Sequence, residues 1–186
     1  MTFRCFGTGD PLYEAYHDTE WGVAPAPSDD EHELFERVSL EAFQSGLSWI
    51  TILRKRENFR AAFAGFDPAL IAQFGGADVE RLMADEGIVR NRAKIEATIA
   101  NARALVALHG RGERLADVFE ANRPAARTRR PAAGEVPAAT PESVALAKQL
   151  KKLGFRFVGP TTAYASMQAL GYVDDHLAGC LAAPPH

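Results

Sequence analysis

Residues 150–165 read LKKLGFRFVGPTTAYA, and this stretch decides the fold. Upstream of it, Thr140-Pro141-Glu142 opens a helix, with Thr140 as cap. On that helix Leu146, Leu150 and Leu153 face inward, while Lys148, Lys151 and Lys152 face out. Gly154 ends it. A short turn reaches Gly159, where glycine permits close backbone approach. A second helix runs from about Thr161 to Leu170, with Pro160 suited to its first turn. The free amides at that helix start attract phosphate. The segment therefore reads either as a hairpin that grips a nucleic-acid backbone without reading sequence or as a plain packing unit of two helices.

Outward from the hairpin, helical periodicity continues and strand patterns are scarce. Residues 30–46 predict a helix on which Leu34, Val38 and Glu41 share a stripe. Residues 48–64 predict a second. Asp67-Pro68 marks a helix start, with Asp67 as cap. Residues 92–108 predict the clearest helix, with Ile95, Ile99, Ala102 and Val106 as its buried face. Residues 123–141 hold Pro124, Pro131, Pro137 and Pro141 and predict a linker. The class is all-α.

Two side-chain sets could carry chemistry. Glu41 falls on an apolar stripe, where a carboxylate must find partners or lose several kcal/mol of solvation. Trp49 follows, and Tyr13 and Tyr16 lie upstream. Aromatic walls with one acceptor suit a flipped base; a structural Glu tied to an Arg is the other reading. The second set is Cys5 and His17 near one end with His176 and Cys180 near the other. His176 and Cys180 stand four apart, on one face of a helix. Two sulfurs and two imidazoles suit tetrahedral zinc, and four protein ligands leave no open position, so such a metal would be structural. Ordinary buried side chains are the alternative.

Composition narrows the classes. Of the 186 residues 47% are hydrophobic, enough for a core, and no apolar run approaches a membrane span. Arg4 has no apolar stretch behind it, so a secretory signal is not expected and the cytoplasm is the default location. The net charge of −3 does not announce a nucleic-acid binder, but a binding face needs only local charge. Basic clusters occur at Arg54 to Arg56, Arg90 to Lys94, Arg127 to Arg130 and Lys148 to Arg156, each of which taken alone reads as solvated surface.

Taken together, DPLYEAYHDTEWG at 10–22, LEAFQSGLSWITILRKRENFRAAF at 40–63, GIVRNRAKIEATIANARA at 87–104, KQLKKLGFRFVGPTTAYASMQALG at 148–171 and DHLAGC at 175–180 resemble the 3-methyladenine DNA glycosylase I family, a branch of the helix-hairpin-helix glycosylases. The matching stretches span nearly the whole chain in the family order. The resemblance implies a helix-hairpin-helix glycosylase fold over 1–186, as a single unit or as two helical lobes flanking a base-binding cleft. It implies one structural Zn2+ held by Cys5, His17, His176 and Cys180. It implies a base pocket of Glu41, Tyr16 and Trp49 with Tyr13 nearby, Glu41 carrying recognition in catalysis. It implies a wedge at Gly46-Leu47, although Leu47 could equally be core, and phosphate binding by Gly154, Gly159, Thr161 and Thr162. It implies double-stranded DNA containing alkylated adenine as the partner, and neither a membrane nor an obligate protein partner. The turn Val158 to Thr162 has no Lys, so excision without strand cleavage follows. Related glycosylases use an Asp beyond the hairpin; Asp175 here precedes His176 and reads as its support. The family usually carries Trp two residues after its first Cys, where this chain has Gly7 in a shorter turn, so Phe6 is the candidate to close the pocket rim. Ala42 likewise stands where Gly is common. A non-catalytic, zinc-stapled DNA-binding protein is the competing reading, disfavoured by the presence together of Glu41, Tyr16 and Trp49.

Overall fold

A computed structural model describes residues 3–25, 30–127 and 129–182. Among the described residues the chain forms nine α-helices: α1 (Pro11–Thr19), α2 (Asp30–Gln44), α3 (Trp49–Ala62), α4 (Pro68–Ile71), α5 (Gly76–Ala84), α6 (Arg92–His109), α7 (Leu115–Glu120), α8 (Pro141–Lys152) and α9 (Pro160–Ala169). The extended backbone that pairs is a single parallel bridge between Phe3 and Cys180. The linker expected over 123–141 holds no helix among its described residues as far as Thr140, and Pro141 already opens α8.

The central element is α2, which packs on α3, α6, α7 and α9. Every residue from Leu34 to Phe43 is buried. A helix enclosed on all sides has no polar face, so Glu36, Arg37 and Glu41 are taken inside along with the apolar stripe. Glu36 is satisfied by Arg60, and Arg37 donates to the carbonyls of Glu20, Val23 and Ala169. Around α2, Phe43, Phe59, Phe63 and Phe66 pack ring on ring, with centroids 4.7 Å apart for Phe43 and Phe59.

Caps set the helix boundaries. Asp67 accepts from the amides of Ala69 and Leu70, Asn91 from Lys94, and Thr140 exchanges bonds with Ser143. The expected helix over 30–46 ends at Gln44, because Gly46 turns the chain at φ +84°. On α6 the expected buried face needs one correction: Val106 is 40% exposed, while Leu105 is fully enclosed. The face steps from Ala102 by three residues rather than four, as a 3.6-residue period requires over so long a helix. Three short helices, α1, α5 and α7, were not anticipated. For α1 the signal was present: Asp10-Pro11 repeats the Asp67-Pro68 start, and Asp10 accepts from the amides of Leu12 and Tyr13.

Candidate active site

The last turn of α2, the buried side of α1, the start of α3 and the middle of α9 meet around a recess of about 160 Å³. From α2 comes Glu41, from α1 Tyr13 and Tyr16, from α3 Trp49, and from α9 Ala165 and Gln168; Phe6 and Trp21 close it. The Tyr16 and Trp49 rings lie 5.2 Å apart, and Phe6 sits 5.0 Å from Tyr13. Larger hollows exist, of about 760 Å³ along the hairpin and about 630 Å³ between α5, α6 and the hairpin. Neither is lined by an unpaired carboxylate among the described residues, so the small recess is the candidate site.

Glu41 is 7% exposed and makes no hydrogen bond or ion pair with any described residue. The nearby arginines are engaged elsewhere, Arg56 with Glu20 and Arg60 with Glu36. Burial alone pushes the Glu41 carboxyl up to about 8. Trp49, another wall of the recess, has its indole Nε1–H buried without an acceptor among the described residues. A buried carboxylate and a buried indole N–H both left without partners, on two residues that line one cavity, are rare in folded proteins. Burial also raises the Tyr16 hydroxyl well above its ordinary value.

Gly7 suits its turn. It sits at φ +88°, and a Cβ there would lie 2.9 Å from the Tyr13 carbonyl oxygen, so a larger residue does not fit. Phe6 takes the rim and bridges outward to Trp21 at 5.0 Å and to His17 at 4.9 Å. Trp21, which the sequence reading passed over, in turn packs on His176 at 4.6 Å. The recess and the cluster of Cys5, His17, His176 and Cys180 thus share a wall.

That set is brought together, although His176 and Cys180 are joined by a turn and not placed on one face of a helix. The ligand atoms of Cys5, His17, His176 and Cys180 all lie within 4.8 Å of one another. The Cys180 sulfur is 3.3 Å from His17 Nε2 and 3.6 Å from His176 Nδ1, and the Cys5 sulfur is 3.8 Å from His176 Nδ1. Tetrahedral bonds of about 2.3 Å to sulfur and 2.0–2.1 Å to nitrogen require edges of this size. Asp18 holds His17 Nδ1 at 2.8 Å, leaving Nε2 for the centre, and the Leu177 amide donates to the Cys5 sulfur at 3.1 Å. Burial pushes the Cys5 thiol up to about 11, so thiolates here call for a cation. The residues present could hold a metal ion.

The hairpin also forms. Gly154 follows α8 at φ +100°, and Gly159 leads into Pro160 at the start of α9. The first helical bond of that end runs from Ala163 to Gly159, leaving the amides of Thr161 and Thr162 at a free terminus. From α6, Asn101 clamps the hairpin by exchanging two bonds with the Arg156 backbone, at 2.7 and 3.0 Å. The basic clusters now separate. Arg54, Arg56, Arg90, Arg92, Arg127, Arg129 and Arg130 all pair with carboxylates, and Lys55 donates to carbonyls. Lys148, Lys151, Lys152 and Arg156 make no ion pair with a described residue, so the hairpin keeps its positive charge. Leu47 is 39% exposed beside the recess, which disposes of a core role. Asp175 is enclosed: it accepts from Tyr164 at 2.6 Å and Gln168 at 2.8 Å and pairs with Arg127 at 3.0 Å.

Helical frame, charged hairpin and aromatic recess with its lone carboxylate define a class, the helical DNA glycosylases. Comparison with known proteins narrows it, because a model of the methyladenine glycosylase family matches residues 6–183. The chain belongs to that family. DNA-3-methyladenine glycosylase 1 of Escherichia coli K12 is 50% identical over 178 residues, 94% of this chain and 93% of the relative. DNA-3-methyladenine glycosylase of Haemophilus influenzae is 46% identical over 97% of both chains. A solved relative, a tyrosine-to-phenylalanine variant of 3-methyladenine DNA glycosylase I in complex with 3-methyladenine, superposes with a TM-score of 0.91 at 32% identity, covering 100% of each chain.

Proposed function

We propose that this chain flips 3-methyladenine out of alkylated duplex DNA and hydrolyses its bond to the sugar, leaving an abasic site in an intact strand. One observation carries the reading: a buried carboxylate without a partner lines a base-sized recess whose other walls are the rings of Phe6, Tyr13, Tyr16, Trp21 and Trp49. Alkylation at position 3 gives the base a formal positive charge in the nucleotide, so the leaving group is already activated. Trp49 and Tyr16 stack on it, a contact that favours a cation over neutral adenine. Glu41 accepts from the exocyclic amine, and the incoming charge favours its ionised form. Phe6 and Tyr13 close the rim. Water attacks the anomeric carbon, the glycosidic electron pair leaves with the base and cancels its charge, and the water's proton passes to solvent. Asp175 is tied to Arg127, Tyr164 and Gln168 and takes no part in that step.

The DNA is held by phosphate contacts to Gly154, Gly159, Thr161 and Thr162 with the unpaired lysines behind them, while Leu47 fills the gap left by the extruded nucleotide. Zn2+ is the ion we assign to Cys5, His17, His176 and Cys180; bound there it supplies no catalysis and ties the two ends of the chain beside the recess. We read residues 1–186 as a single catalytic unit working in the cytoplasm; no described helix is long and apolar enough to cross a membrane.

The test is base release from methylated duplex DNA, with the freed base identified. The parent chain releases 3-methyladenine. Glu41→Gln keeps the shape but loses the charge and cuts release by roughly tenfold to a thousandfold, with affinity for undamaged DNA unchanged. Full activity in that variant would remove Glu41 from recognition, and release of other bases alone would overturn the assignment.

A further inference from the structure

We propose that Lys94 is a positioning residue for the Gly46-Leu47 turn, its ammonium fixing from beneath the pose in which Leu47 enters the duplex. The inference rests on reading Leu47 as the wedge. Lys94 stands in the first turn of α6, where Asn91 caps the helix by accepting its amide at 3.1 Å. The side chain is buried, 7% exposed, and crosses to the end of α2. There Nζ donates to the carbonyls of Phe43 at 2.9 Å and Ser45 at 2.6 Å. No carboxylate among the described residues faces it.

A buried ammonium without a counter-ion is costly. What holds it is the end of α2, whose last carbonyls lack helical partners and carry the negative end of the helix dipole. Packing does not demand it: Phe43 is already fully enclosed against Phe59 and Phe63. Immediately beyond these carbonyls the chain turns at Gly46 and exposes Leu47. That turn has almost no packing of its own, and a Cβ built on Gly46 meets nothing within 4 Å. Among the described residues its side-chain ties are two: Gln44 donates to the Leu47 carbonyl at 2.9 Å, and Lys94 holds the carbonyls before it. An inserting side chain must be ordered before it meets the stack, or ordering it is charged to the flipping step.

Lys94 and Asn101 stand two turns apart on one face of α6, about 10 Å along the axis. One grips the wedge turn and the other the hairpin, so a single helix sets the distance between the groups that enter the duplex and those that hold its backbone.

The experiment replaces Lys94 by Met, which keeps length and removes the donors. Excision is measured on methylated duplex and on the same strand alone, and binding of free 3-methyladenine is followed by tryptophan fluorescence. Duplex excision falls roughly tenfold or more, while single-strand excision and free-base affinity stay within about twofold, because neither requires opening a stack. Leu47→Ala gives the same pattern, and the double variant is no worse than the poorer single one, as expected of groups acting as one unit. Equal loss on both substrates, parallel loss of free-base binding or no loss at all in Lys94→Met would overturn the assignment. A Leu47→Ala variant indifferent to duplex would instead remove the wedge reading, and this inference with it. Should Lys94→Met not fold, Asn91→Ala at the exposed cap gives a smaller loss of the same duplex-selective kind, and a loss shared by single strands decides against Lys94.

Discussion

Burial raises the Glu41 carboxyl from its ordinary 4.5 to about 8, and no neighbour offsets that rise. A carboxyl whose folded value is raised helps the fold below its ordinary range and burdens it progressively as pH climbs, until the folded value is passed. Each tenfold step in acidity is worth about 1.4 kcal/mol, so the burden reaches a few kcal/mol near pH 8. Glu41→Gln should therefore melt above the parent at pH 8–9, by several degrees, and the two curves should converge near pH 4. Equal melting temperatures across that range would mean the carboxyl is partnered in solution. Periodicity made this residue legible, since it falls in step with Leu34 and Val38. Trp21, Gln168 and Lys94 were not legible: their importance lies in what they meet across the fold, and nothing in the local pattern separates Lys94 from its solvated neighbours Arg90 and Arg92.

The two hairpin glycines serve different ends, and substitution distinguishes them. Gly154 sits at φ +100°, where side chains are strained, and Gly154→Ala should lower stability by about 1–2 kcal/mol. Gly159 has φ −76°, and a Cβ there meets nothing within 4 Å. The fold does not require glycine at that position, so Gly159→Val should melt like the parent yet bind all DNA more weakly, with affinity falling steeply with salt and hardly varying with sequence. Normal binding by that variant would show that phosphate does not approach there. Borohydride should trap no protein–DNA adduct, because the turn from Val158 to Thr162 offers no amine for a Schiff base. The glycines and prolines announced this element clearly. The clamp from Asn101 did not announce itself, since an Asn on a helix 55 residues away carries no local mark. Nor did Phe157, which takes φ +57° at an exposed position where a glycine would be expected.

Across the whole molecule, charge is distributed so that a chain of net −3 still presents a basic hairpin, because most other basic groups are neutralised in pairs. The all-helical class was readable from periodicity, whereas the meeting of the two ends was implied by the family pattern and not by spacing. Purified protein should carry about one zinc per chain, and Cys180→Ser should lower both metal content and melting temperature. Metal-free protein with unchanged melting would leave the four ligands as mere neighbours. The same arrangement governs how the protein is made. Cys5 and His17 emerge from the ribosome early, and their partners His176 and Cys180 come about ten seconds or more later at ordinary rates of synthesis. The helices from α1 to α6 can collapse while translation continues, with Tyr16 seated on Trp49 and with Asp10 and Glu20 held by Arg54 and Arg56, but the α9 side of the recess and the contact of Trp21 with His176 wait for the last residues. A nascent chain is thus expected to lack a finished recess until residue 176 has been made, and chains truncated before His176 should be helical yet release no base.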